Sequence, residues 1–162
     1  DVVEAMIFVT MVIDVGEFTE KNVKDIFYRI KISEMFNGSP FLNLVVGLDT
    51  DLEIGALSAL LKGIEDDNGR VRGGPKFAPR TLDIDILTFS DQAGCFASVQ
   101  VPRDEILTNA FVLWPLSEVA PFDMHPVVGK NYQTLWREYD KSTQKLYPVN
   151  FNWQGRLISR YA

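Results

Sequence analysis

Two hydrophobic periods alternate along this chain. Residues 7–13, Ile-Phe-Val-Thr-Met-Val-Ile, are nearly all β-branched or aromatic, which predicts a buried strand interrupted only by the polar Thr10 and the small break in shape it brings. A polar, charged stretch over residues 17–25 predicts one or two helical turns. Residues 26–32 alternate loosely and predict a second strand, closed by the loop signal Asn37-Gly38-Ser39-Pro40. Phe41 to Leu48 is the clearest strand. Leu42, Leu44, Val46 and Leu48 share one face, and Phe41, Asn43 and Val45 the other. A buried asparagine among apolar neighbours needs hydrogen-bond partners, from the protein or from a ligand. Thr50 and Glu53 have capping-box spacing, and Leu57, Leu60, Leu61 and Ile64 recur at helical spacing, so a helix is predicted over about 51–65.

Three glycines and two prolines then forbid a regular element over residues 68–80. Leu82 to Phe89 returns to strand periodicity, with Leu82, Ile84 and Ile86 on one side and Asp83, Asp85 and Leu87 on the other. Residues 96–101 predict a short strand stopped by Pro102, residues 103–120 a helix bent at Pro115, and residues 132–139 a last short helix. Residues 141–162 carry no clear period and stand as an unassigned C-terminal extension of one domain spanning 1–162. The order β-α-β-β-α-β predicts an α+β fold: a ferredoxin-like antiparallel sheet with helices packed on its faces. That fold hosts many functions and by itself says little about chemistry.

Composition narrows the chemistry. With 46% hydrophobic residues in 162, the chain can bury a sizeable core, which excludes a disordered acidic tail despite a net charge of −6. The same charge argues against a nucleic-acid binder held by overall electrostatics. The apolar run Met6 to Ile13 is far short of the ~20 residues of a membrane span, so no membrane association is expected. One cysteine, Cys95, allows no intrachain disulfide and suits the cytoplasm. One histidine, His125, excludes multi-histidine zinc sites and argues against a histidine-centred triad. Any catalysis must run on carboxylates, basic groups and a metal.

Asp83 and Asp85 stand at i and i+2 of one strand, which puts both carboxylates on the same face, roughly 6–7 Å apart at the backbone. Such a pair suits Mg²⁺; the plain alternative is the polar side of an edge strand. Just upstream, Arg70, Arg72, Lys76 and Arg80 form a basic, glycine-containing loop. Arginines bind phosphate through two parallel hydrogen bonds, and the alternative is a solvated loop balanced by Asp66 and Asp67. Together, the loop and the carboxylate pair are what Mg-nucleotide chemistry needs. Phe41, Phe77 and Phe111 flank these polar features. Core packing is the default for each, but Phe41 shares a face with Asn43, where a planar heterocycle could stack and hydrogen-bond.

Phe41-Leu42-Asn43, Gly69-Arg70-Val71-Arg72, the run from Ala78 through Pro79-Arg80-Thr81-Leu82-Asp83-Ile84-Asp85-Ile86 to Leu87, Val101-Pro102, Phe111 to Leu116 and Ala120-Pro121 occur in an order and spacing that resemble the 6-hydroxymethyl-7,8-dihydropterin pyrophosphokinase family. The resemblance implies transfer of diphosphate from ATP to a pterin alcohol, with release of AMP, in folate biosynthesis. It implies that Asp83 and Asp85 hold two Mg²⁺ ions, that Asn43 reads the pterin edge, and that Phe41 and Phe111 sandwich the pterin ring. Arg70, Arg72 and Arg80 would contact the triphosphate and act with the aspartates in catalysis. Glu65, Phe77 and Arg103 would line the ATP site, Phe77 standing where the family often has tryptophan. The enzyme would act as a monomer. There are departures: Ile13-Asp14-Val15-Gly16 stands near the place of a usual Gly-Ser-Asn, Arg103 replaces a histidine, and Asn109 replaces an arginine. They motivate an alternative, a weakened or inactive relative that binds pterin, nucleotide or both.

Overall fold

A computed structural model describes residues 2–12, 31–35, 41–67, 82–144, 146–148, 151–153 and 156–159. A five-stranded sheet runs in the order β4-β1-β3-β2-β7. Its strands are β1 (Val3–Val12), β2 (Lys31–Met35), β3 (Phe41–Thr50), β4 (Leu82–Phe89) and β7 (Leu146–Pro148). Every neighbouring pair is antiparallel. Among the described residues four helices accompany the sheet: α1 (Ile54–Asp67), α2 (Glu105–Thr108), α3 (Ala110–Val119) and α4 (Tyr132–Glu138). The fold is therefore α+β, as expected.

Strand alternation divides the core into two layers. On one face Ala5, Ile7 and Val9 of β1, Leu44, Val46 and Leu48 of β3, and Leu82, Ile84 and Ile86 of β4 pack against Ile54, Leu57, Leu61 and Ile64 of α1. On the other, Met6, Phe8, Val45 and Leu87 pack against Val112, Leu113 and Leu116 of α3 and Tyr132 of α4. Each layer buries many large apolar side chains, at about 25 cal/mol per Å² removed from water. The two-residue repeat of β3 and β4 thus places apolar residues under α1 and Asn43, Asp83 and Asp85 on the α3 face.

Several boundaries differ from expectation, each for a local reason. Helix α1 begins at Ile54, with the Leu57 N–H bonding to the Glu53 carbonyl at 2.9 Å. The Thr50 hydroxyl instead accepts from the Leu52 N–H at 3.0 Å, closing a turn ahead of the helix. The single strand expected over 96–101 is a hairpin, β5 (Gly94–Phe96) and β6 (Val99–Val101). Its turn residues Ala97 and Ser98 have φ of 50° and 64°, the left-handed geometry that hairpin turns favour. The expected break at Pro115 falls at Asn109, whose extended backbone (φ −121°, ψ 116°) separates α2 from α3, while Pro115 lies buried inside α3. The expected strand over 26–32 is described only from Lys31, and the turns expected over 17–25 lie outside the described residues.

The C-terminal extension takes on structure. β7 pairs with β2 in the main sheet, and β8 (Phe151–Trp153) pairs with β9 (Arg156–Ser159). Before β7, the Gln144 Oε1 accepts from the Ala110 N–H at 2.7 Å, which satisfies an otherwise unpaired donor at the start of α3. Trp114, Trp136 and Tyr139 stack in succession at 5.3 and 5.7 Å, with the Lys141 ammonium 4.5 Å from the centre of the Trp136 ring. Trp114 and Trp136 thus pack against other aromatic rings.

Candidate active site

Strand register brings the polar residues together on the α3 face. β1 lies between β3 and β4, and Thr10 pairs with Asn43 on one side and Asp83 on the other. One step along, Phe8 pairs with Val45 and Asp85. Asn43 and Asp83 are thus two strand spacings apart, roughly 10 Å.

Asn43 is 1% exposed. Its Oδ1 accepts from the Thr10 hydroxyl at 2.9 Å, and its buried Nδ2 has no hydrogen-bond partner among the described residues. A buried donor without a partner costs about 1–3 kcal/mol, so the amide is poised for one. Phe111, the second residue of α3, lies beside Phe8, with ring centroids 5.9 Å apart and a 40° tilt. Phe41 is placed by its backbone, which pairs with Val12 and Met35 two residues before Asn43.

At the other end of the row, Asp83 and Asp85 are half-buried. The Arg103 N–H donates to the Leu87 carbonyl at 3.0 Å, anchoring the loop after Pro102 to β4. Its guanidinium lies 3.4 Å from Asp85 and forks onto Glu105 at 2.9 and 3.3 Å. Burial pushes the Asp85 carboxyl above its usual range; Arg103 pulls it down, while Asp83, Glu65 and Glu105 push it up. Burial also opposes the charge on Arg103, but Glu105 and Asp85 outweigh it and hold the guanidinium protonated. Glu105 is held below its usual value, chiefly by the Arg103 hydrogen bond.

Glu65 is 3% exposed in the last turn of α1, and its Oε1 accepts from the Ile84 N–H at 2.8 Å, between the two aspartates. It fixes the strand that carries them. The basic residues Arg70, Arg72, Lys76 and Arg80 and the aromatic Phe77 lie outside the described residues.

Among the described residues no group of three or more His, Cys, Asp and Glu side chains is arranged to hold a metal ion. The Asp83–Asp85 pair still fits Mg²⁺, which takes one or two carboxylates and completes its shell with water and phosphate. The excess of carboxylates around Asp85 is the kind of field that a divalent cation relieves.

Three features escaped the sequence reading: the hydroxyl of Thr10, the Arg103–Glu105 fork and the Gln144 tether. Only Thr10 left a signal, as the polar residue interrupting an apolar strand. The remaining singletons sit apart from this row. His125 is a buried loop residue whose Nδ1 accepts from the N–H groups of Val127 and Val128 at 3.2 and 3.1 Å. Cys95 is an exposed free thiol on the β5–β6 hairpin. Six residues from Thr10 along β1, at the far end of the sheet, a separate cavity of about 460 Å³ is lined by Glu4, Met6, Asp49, Val119, Phe122 and Asp123.

The row on this sheet face thus carries an amide at one end and paired carboxylates at the other. Comparison with known proteins makes the assignment specific. The chain belongs to the 7,8-dihydro-6-hydroxymethylpterin-pyrophosphokinase family, whose profile matches residues 14–121. A 2-amino-4-hydroxy-6-hydroxymethyldihydropteridine pyrophosphokinase of Pseudomonas aeruginosa is 43% identical over 81 residues, covering 50% of this chain and 49% of the relative. The protein of that name from Aquifex aeolicus is 32% identical over 114 residues, 70% of this chain and 71% of the relative. The one from Synechocystis sp. is 34% identical over 100 residues, 62% and 51%. The chain thus spans about half the length of the Pseudomonas and Synechocystis relatives.

Proposed function

We propose that this chain transfers diphosphate from ATP to 6-hydroxymethyl-7,8-dihydropterin and releases AMP, as a step of folate biosynthesis. The observation that carries the reading is the row Asn43–Thr10–Asp83 with Asp85 beside it, which separates a heterocycle-reading amide from a carboxylate pair by about the length of a pterin. Asn43 would hydrogen-bond the pterin edge, and Phe111 and Phe41 would hold its ring. The hydroxymethyl oxygen would then lie near Asp83 and Asp85, in line with the β-phosphorus. Attack forms the new P–O bond, the hydroxyl proton passes to solvent, the bond from the β-phosphorus to the bridging oxygen of the α-phosphate breaks, and AMP leaves with that oxygen. Asp83 and Asp85 would hold Mg²⁺, which when bound neutralises phosphate charge. Arg70, Arg72 and Arg80 would contact the triphosphate, with Glu65, Phe77 and Arg103 around the nucleotide. Positioning and charge neutralisation supply the rate, with no covalent enzyme intermediate.

The strand order β4-β1-β3-β2 supports the reading of a ferredoxin-like βαββαβ core. No helix among the described residues is long and apolar enough to cross a membrane. The reading is of a monomer acting in the cytoplasm, with sedimentation and cell fractionation as its checks.

The test is one assay: protein, Mg-ATP and hydroxymethyl-dihydropterin, followed by AMP release. AMP at a rate proportional to enzyme is the expected result; none above background at high enzyme defeats the proposal. The contact of Arg103 on Asp85, together with an uncharged Asn109, favours a second reading, a weakened relative that binds without turnover. Calorimetric binding of pterin or nucleotide without AMP release would select it.

A further inference from the structure

The two ends of the Asn43 side-chain amide have unequal surroundings. Oδ1 receives the Thr10 hydroxyl at 2.9 Å, whereas Nδ2 is buried with no partner among the described residues. The ends are nearly equal in size but opposite in hydrogen-bonding sense, so a half-turn of the amide would exchange what a ligand meets. Thr10 is β-branched and sits on β1, between β4 and β3 and directly across from Asn43, where its side chain has little rotational freedom. In the orientation observed, the hydroxyl donates to Oδ1 and holds the amide from that end, which leaves Nδ2 as the end that a ligand would meet.

We propose that Thr10 is a positioning residue that sets the specificity of this site: it locks the Asn43 amide so that Nδ2 donates into the site, and the ligand edge facing it must offer an acceptor, a ring nitrogen or a carbonyl oxygen. The inference rests on the pterin reading above. It concerns a residue that precedes the segment 14–121 matched by the family profile.

Thr10→Val removes the hydroxyl at nearly constant shape, and Thr10→Ser restores it. Calorimetry on the whole chain would measure binding of hydroxymethyl-dihydropterin and, separately, of Mg-ATP, with circular dichroism confirming that both variants fold. The Val variant is expected to lose about tenfold in pterin affinity, the scale of one well-placed hydrogen bond, with ATP affinity within about twofold of the original. The Ser variant should stay within about threefold for both ligands. Unchanged pterin affinity in the Val variant, or equal losses in Val and Ser, would overturn the inference. If the unaltered protein binds no pterin, it is the functional reading that fails. The orientation is then decided in the free protein by nuclear Overhauser effects, weak between the Asn43 Hδ2 protons and Thr10 Hβ if the lock is as described, strong if the amide is reversed.

Discussion

Glu4 offers a measurement that separates the stability of the fold from its chemistry. Its carboxyl lies in the cavity at the far end of the sheet from Asn43 and Asp83, on β1 across from Asp49. Burial, the hydrogen bond and charge of Asp123 and the charge of Asp49 raise its pKa from 4.5 to about 7. Protonation therefore favours the folded state. The stabilising contribution is complete below pH 4.5 and is lost as pH rises through about 7. At about 1.4 kcal/mol per pH unit, that interval caps the effect at ~3 kcal/mol. Part of the Glu4 side chain is exposed, and solvent screening reduces this to about 1 kcal/mol. Glu4→Gln keeps the shape and cannot ionise. Urea denaturation at intervals from pH 4 to pH 9 should show the variant gaining about 1 kcal/mol on the parent across that range, or about 2–4 °C in Tm. The AMP-release rate should not change. Parallel stability curves for the two proteins would refute the raised pKa of Glu4.

Asp83→Asn and Asp85→Asn should each lower AMP release by at least about a hundredfold while the circular dichroism spectrum stays native, since each removes one of two charges from the reacting end of the row; a residual rate within threefold would remove the carboxylates from the mechanism. Glu65→Ala breaks the bond to the buried Ile84 N–H and leaves a space, for a loss of about 2–4 kcal/mol measured by denaturant unfolding, with a drop in activity through β4. An unchanged midpoint would argue that β4 is held by other means. Asn131→Ala removes the acceptor for the Thr134 N–H at the start of α4, a cap measured at 2.8 Å, and should cost about 1 kcal/mol and a few degrees of Tm.

Much of this arrangement was legible in the sequence. The alternation of β4 correctly sorted Leu82, Ile84 and Ile86 under α1 and Asp83, Asp85 and Leu87 to the opposite face, because a two-residue period leaves no choice once one face is apolar. Asn43 announced itself as a polar residue inside an apolar strand. What escaped depends on partners remote in sequence. Nothing local ties Thr10 to Asn43; the pairing exists only once β1 and β3 are in register. Gln144 finds the start of α3 from a stretch without periodicity. Arg103 was expected at a phosphate, and its fork onto Glu105 and Asp85 follows from a chain direction fixed by the bond to Leu87. The capping box at Thr50 was displaced because its hydroxyl found the nearer Leu52 N–H first.

The place of β7 beside β2 has a kinetic consequence. Ser33 pairs with Pro148, so the sheet is closed by residues made after all four described helices. A loop of that length costs only slightly more chain entropy than one half as long, about 0.6 kcal/mol, so the pairing is inexpensive at equilibrium. It is expensive in time, because contacts between such distant residues slow the search. On the ribosome, β2 has to wait with an open edge until residues 146–148 emerge, and that interval is when this edge is most exposed to pairing with a neighbour.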